Sequence, residues 1–164
     1  MTRIPALLRS LLAAAFIFGG LAGVAHAADM TQDFDFAKPR FAHEQPFAQV
    51  KLVLQISDDN PTTWNLVLNN AQNALEYFGQ DKAHIVVVAY GPGLLMLLKN
   101  SPVAQRIAAQ DGEGIEFDAC HKTIEGMTAK TGHAPELVPQ ANVVPAGVVR
   151  IMQLQQAGFD YIRP

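Results

Sequence analysis

The sequence predicts an α/β fold: a three-layer α/β/α sandwich of flavodoxin-like kind, built on a mainly parallel sheet of about five strands. Three observations carry this. Short apolar runs bounded by turn residues alternate with helical-period segments about five times, and strands separated by helices demand right-handed crossovers. Ile85-Val86-Val87-Val88 is an unbroken β-branched run, as found in strands covered on both faces. The chain has 164 residues, the length of one domain.

The elements follow in order. Arg3 and Arg9 form a basic n-region, Leu11 to Val24 is apolar or small, and Ala25-His26-Ala27 supplies the small residues of a cleavage site. The apolar run spans about 14 residues, short of the roughly 20 that cross a bilayer core, so a cleavable signal is preferred to a retained anchor. The expected organisation is residues 1–27 as signal peptide, 28–49 as an extended lead-in and 50–164 as the α/β domain, with the mature protein in a bacterial periplasm. In the lead-in, Phe34, Phe36, Phe41 and Phe47 are too many for a disordered tail, and some are expected to tuck against the domain or a neighbouring subunit.

Val50 to Ile56 reads as the first strand. Asp58-Asp59-Asn60-Pro61 then starts a helix, with capping side chains and a proline whose missing N–H costs nothing there. Trp64, Val67, Leu68, Ala71, Leu75 and Phe78 recur at helical spacing up to Gly79. The other face of this helix, with Asn65, Asn69, Gln72, Asn73 and Glu76, is either a solvated surface or a polar contact or cleft lining. A second strand runs from Ala83 to Tyr90, and Gly91-Pro92-Gly93 breaks it before the short helical turn Leu94–Leu98. Ser101-Pro102 opens a helix to about Gln110, Ile115 to Ala119 alternates like a third strand, and His121 to Lys130 is helical. Leu137-Val138 begins a fourth strand that continues to Val143-Val144. Pro145-Ala146 opens the last helix, packed through Val148, Val149, Met152, Leu154 and Ala157, and Phe159 to Ile162 is a terminal strand.

Composition narrows the function. Removing the leader with its two arginines takes the formal charge from −3 to −5, which argues against nucleic acid as partner. Beyond the leader no segment is long and apolar enough to span a membrane. Cys120 is the only cysteine, so neither an internal disulfide nor a paired-cysteine zinc site can form. His43, His84, His121 and His133 show no metal-ligand spacing, and no cofactor is indicated.

Ligands of open parallel sheets gather at the carboxyl ends of the strands. Asp58 and Asn60, Gly91 and Gly93, and Cys120-His121 fall there, and Asn65 on the first helix is added as a cleft candidate. Gly91-Pro92-Gly93 lacks the ending of a phosphate loop and reads better as a tight turn. Cys120 reads two ways: a buried inert thiol, or a reactive one at a helix N-terminus, where unpaired N–H groups and the helix dipole favour a thiolate.

Trp64-Asn65-Leu66, Leu68-Asn69-Asn70, Tyr90-Gly91-Pro92-Gly93, Ala119-Cys120-His121-Lys122-Thr123 and the ending from Val144-Pro145-Ala146-Gly147-Val148 through Gln153 to Pro164 resemble the DsrE/DsrF-like family. The resemblance runs from about Lys51 onward and points to its exported, single-gene branch. It implies a small α/β fold, homotrimers or homohexamers, and a sulfane sulfur carried as a persulfide on Cys120, with His121 as a neighbour. Donor and acceptor would be sulfur-relay proteins or small persulfides. The competing expectation is a non-catalytic oligomeric module that holds a small ligand in the strand-end cleft and keeps Cys120 buried.

Overall fold

Seven consecutive buried residues, Ala83–Ala89, form the central strand of the protein, and the rest of the sheet assembles around them. The structure is a computed structural model that describes residues 28–164. The export signal expected at residues 1–27 lies outside the described residues. The strands are β1 (Ala28–Asp29), β2 (Val50–Ile56), β3 (Ala83–Ala89), β4 (Glu116–Cys120), β5 (Ala141–Val144) and β6 (Asp160–Ile162). The helices are α1 (Pro61–Phe78), α2 (Ala104–Gly112), α3 (His121–Thr131) and α4 (Gly147–Gln156), with a 3-10 helix at Gly91–Leu97. All pairings are parallel, in the order β1-β5-β4-β3-β2-β6.

That order fixes the layers. From β2 to β3, β4 and β5 the chain steps one place each time in the same direction, and right-handed crossovers then put α1, α2 and α3 on one face. The last connection jumps back across the sheet from β5 to β6. The same handedness therefore puts α4, alone, on the other face.

The two cores match this division. On the three-helix face, Leu52, Leu54, Ile85, Val87, Phe117 and Ala119 pack with Val67 and Leu68 of α1 and Ile107 of α2, while Ile124 and Met127 of α3 lean on the same cluster. On the one-helix face, Val53, Val86 and Val88 meet Ile151 and Leu154 of α4 and Phe159, with Phe41 of the lead-in packed against them.

Local chemistry sets the boundaries. The Asn60 side chain accepts from Thr62 N at 2.9 Å and Pro61 opens α1, as the sequence indicates. The Trp64 indole N–H donates to the Asp58 carbonyl at 2.8 Å, which pins the helix start to the end of β2.

Three expectations are corrected. Leu137 makes only an isolated antiparallel bridge with Leu98, and β5 begins at Ala141: Pro139 has no N–H for a ladder, and Val138 N is already bonded to Leu97 O. The helix expected from Ser101 begins at Ala104, after a turn in which Ala104 N donates to Ser101 O. In α4, Val148 and Met152 are 57% and 55% exposed, while Arg150, Ile151, Gln153 and Leu154 face inward. Apolar periodicity misplaced this face because a buried arginine occupies it.

The lead-in carries two residues of strand and otherwise turns and loops over the one-helix face. Its phenylalanines divide: Phe41 stacks on Phe159 at 5.8 Å and meets the His84 ring edge-on at 4.3 Å, whereas Phe47 is 79% exposed.

Candidate functional site

Adjacent strands β4 and β5 send their connections to opposite faces, α3 to one and α4 to the other. A crevice outside the carboxyl ends of such a strand pair is where open α/β sheets bind ligands. Cys120 is the last residue of β4, in register with Val144 at the end of β5, and it also caps α3. Side chains alternate along a strand, so Cys120 shares the one-helix face with Glu116 and Asp118. It is a free thiol, 5% exposed. His121 is half-buried at the helix start, its Nδ1 4.0 Å from Glu125 Oε1.

The glycine loop closes the same corner from the side. The Gly91 N–H donates to Thr123 Oγ1 at 2.9 Å, and the Gly93 N–H to the Tyr90 carbonyl at 3.1 Å. With both amides engaged inside the fold, these glycines have no N–H left to cradle an anion. They serve close approach instead. Gly91 has φ +55°, and a Cβ on Gly93 would stand 2.4 Å from the Ile56 carbonyl oxygen. Gly147 makes room likewise, since a Cβ there would meet Tyr90 Cβ at 2.8 Å. The loop thus clamps the ends of β2, β3, α3 and α4 together.

The other cleft candidates also have structural partners. Asp58 Oδ1 accepts from Asn60 N at 3.1 Å, and Asn60 is the cap of α1. Asn65, near the start of α1, is engaged by the next helix: its Oδ1 accepts from Arg106 Nη1 of α2 at 2.9 Å, and Asn69 accepts from Nη2 at 2.6 Å. Gln72 bonds Gln110 and Glu113. Asn65, Asn69 and Gln72 therefore form a polar seam against α2, while Asn73, with Asn70, lines a separate pocket beside β2 and β6.

Sequence reading missed the most concentrated chemistry in the protein. Arg150, 2% exposed, donates from Nε to Asp118 Oδ2 at 2.7 Å and from Nη2 to Glu116 Oε1 at 3.0 Å. The same guanidinium donates to Gln153 Oε1 at 2.8 Å and to the Arg40 carbonyl at 2.9 Å. Glu116 Oε2 accepts from the backbone N–H groups of Ala42 and His43, at 2.8 and 3.3 Å. Two acids sit beside one cation, all out of water. Burial, then the neighbouring Asp118, pushes the Glu116 carboxyl well above its ordinary range, and burial also raises Asp118 against the pull of Arg150. One proton held by Glu116 leaves the cluster neutral and gives Asp118 Oδ1, which no N–H reaches, a donor. The readable signal was Glu116-Phe117-Asp118: acids at alternate positions of a central strand share one covered face and require a cation there.

His84 lies on the same face, 3% exposed, with Nε2 unpartnered. Burial, helped by the charges of Lys51, Arg150 and His43, lowers its pKa to about 4, so the ring is neutral. No group of three or more potential metal ligands occurs among the described residues.

Among known proteins, no family model and no curated protein matches the chain. Solved structures do. A protein of unknown function from Methanobacterium thermoautotrophicum is 28% identical, with a TM-score of 0.64, over 71% of this chain and 100% of that one. A conserved protein of unknown function from Bacteroides thetaiotaomicron is 17% identical, with a TM-score of 0.53, over 74% and 100% of the respective chains. The fold is shared with these proteins, and neither carries an assigned activity.

Proposed function

We propose that this protein is a periplasmic, homo-oligomeric carrier of sulfane sulfur, of the DsrE/DsrF-like kind, with Cys120 as the carrier. The observation that supports it is the position of the single thiol. Cys120 stands at the β4 end of the crevice between β4 and β5, as the first capping residue of an 11-residue helix that has no side-chain cap bond. First-turn N–H groups of such a helix are suited to a sulfur that carries negative charge during exchange. In the step envisaged, the Cys120 thiolate attacks the outer sulfur of a donor persulfide. The donor S–S bond breaks, the donor leaves as a thiolate, and a Cys120 persulfide forms with no net oxidation. Onward transfer repeats the exchange with an acceptor thiolate.

The test is intact-mass measurement after incubation of the purified protein with inorganic polysulfide. The wild type should gain sulfur, and Cys120→Ser should not. An unmodified wild type, or an equal adduct on the serine variant, removes the reading. Cell fractionation and light scattering address the periplasmic location and the oligomer.

The 5% exposure of Cys120 favours a second reading, a non-catalytic oligomeric module that binds a small ligand and uses the thiol as packing. Titration of the native protein with a small thiol reagent separates the two. A thiol that reacts only after unfolding supports the module.

A further inference from the structure

Beyond β1, which pairs with β5, the lead-in crosses the one-helix face without joining the ladder again, and the way it is held points to a moving part. Between Met30 and His43, apart from the Met30 N–H on Val143 O, its bonds to the domain run through side chains. Gln153 donates to the Asp35 carbonyl at 2.8 Å and Arg150 to that of Arg40, while Ala42 and His43 donate to Glu116. His43 Nε2 meets Asp111 at 2.8 Å in a half-exposed pair. Phe41 turns inward, 5.0 Å from the Arg150 guanidinium. A small cavity of about 10 Å³ lies between Met30, Phe34, Lys38 and Arg40 on one side and Val144 and Arg150 on the other.

Two placements bring this segment to β5, the strand beside the thiol. Val144 lines that cavity and is the register partner of Cys120, on the same face of the sheet. At the segment's root, Asp29 pairs with Val143, the residue before Val144 on β5.

We propose that Met30–His43 is a strap over the Cys120 corner, latched by Glu116, Arg150 and Phe41, whose release opens the thiol to solvent while the sheet stays folded. A segment held by few side-chain bonds at a thinly covered face opens locally at lower cost than the strands beneath it. The proposal rests on the carrier reading for its biological use but not for its test. Strap release is measured by access, whether or not sulfur is ever carried.

The experiment is alkylation of Cys120 in the full chain by N-ethylmaleimide, an uncharged probe, in wild type and Phe41→Ala. The variant should react about tenfold faster or more, at unchanged far-ultraviolet circular dichroism. Equal rates in a folded variant overturn the proposal. Hydrogen exchange on the wild type decides the matter even if that variant does not fold. The amides of Ala42 and His43 should exchange well ahead of those of Val86 and Val87, and equal protection overturns the strap. A protein that passes both tests but takes up no sulfur keeps the strap and loses the carrier.

Discussion

The two faces of the sheet are stabilised by different physics. Under α1, α2 and α3 the sheet presents hydrocarbon, from Leu52 and Leu54 through Ile85 and Val87 to Phe117. Under α4 and the strap it presents Val53, Val86 and Val88 in the middle but His84, Glu116, Asp118 and Asn142 around them. The first face is non-directional and tolerant of rearrangement, because burial of apolar area does not specify a partner. The second is directional: each buried polar atom requires its counterpart, so position is specified at the expense of robustness. A single strand shows both, since β4 sends Phe117 and Ala119 to one side and Glu116, Asp118 and Cys120 to the other.

The contrast can be broken from either side. Phe117→Ala on the apolar face and Arg150→Met on the polar face should each cost about 3–5 kcal/mol in urea denaturation. The first does so by leaving a cavity, the second by stranding two buried acids. Their repairs differ, which sharpens the comparison: adding Glu116→Gln and Asp118→Leu to Arg150→Met should restore most of the loss, because an apolar set replaces an ionic one at little net cost. If the triple variant is no more stable than Arg150→Met, the cluster is not the reason for that cost.

Titration gives the next largest effect, and only the polar face should show it. His84 has its pKa lowered to about 4 from 6.5, so the unfolded chain takes up a proton there that the folded one refuses. Stability is full above pH 6.5 and falls as the pH drops toward about 4, by about 3 kcal/mol at most. Glu116 works in the opposite sense. Its raised pKa gives stability that is present at low pH and declines as the pH climbs above the ordinary glutamic acid value. Stability measured against pH should lose its acid limb in His84→Phe and its decline on the alkaline side in Glu116→Gln. An acid limb unchanged in His84→Phe would show that the ring is not the group responsible.

At the strand ends, Gly93→Ala should cost about 1–3 kcal/mol in thermal unfolding, since its new methyl must displace backbone at Ile56 and not a pliable side chain. The smallest effect belongs to the lead-in: Phe47→Ser, at a ring 79% exposed, should change stability by no more than about 0.5 kcal/mol. A large loss there would mean that a neighbouring subunit covers the ring.

Much of the fold was legible because the three-helix face obeys the simplest rule, apolar residues at the period of their element. β2 is bounded as its hydrophobic run indicates, and α1 follows its proline and capping asparagine. Legibility failed where polar groups do the packing. Arg150 and Gln153 took the inward side of α4 from Val148 and Met152, a choice set by Glu116 and Asp118 more than thirty residues away. At the candidate site, the order of residues placed Cys120 at a strand end, but its 5% exposure is set by tertiary packing that no local pattern records. Asn65 misled for the same reason, its partner Arg106 lying on the next helix.

The reversal that puts α4 alone on its face also sets the order in which the molecule can be completed. β2 is made early, yet its outer neighbour β6 follows only after every other strand, with Tyr161 hydroxyl reaching Gln55 across 106 residues of chain. β2 stays an edge strand until that return, so the assembly of this protein should be slow and governed by its long-range closure.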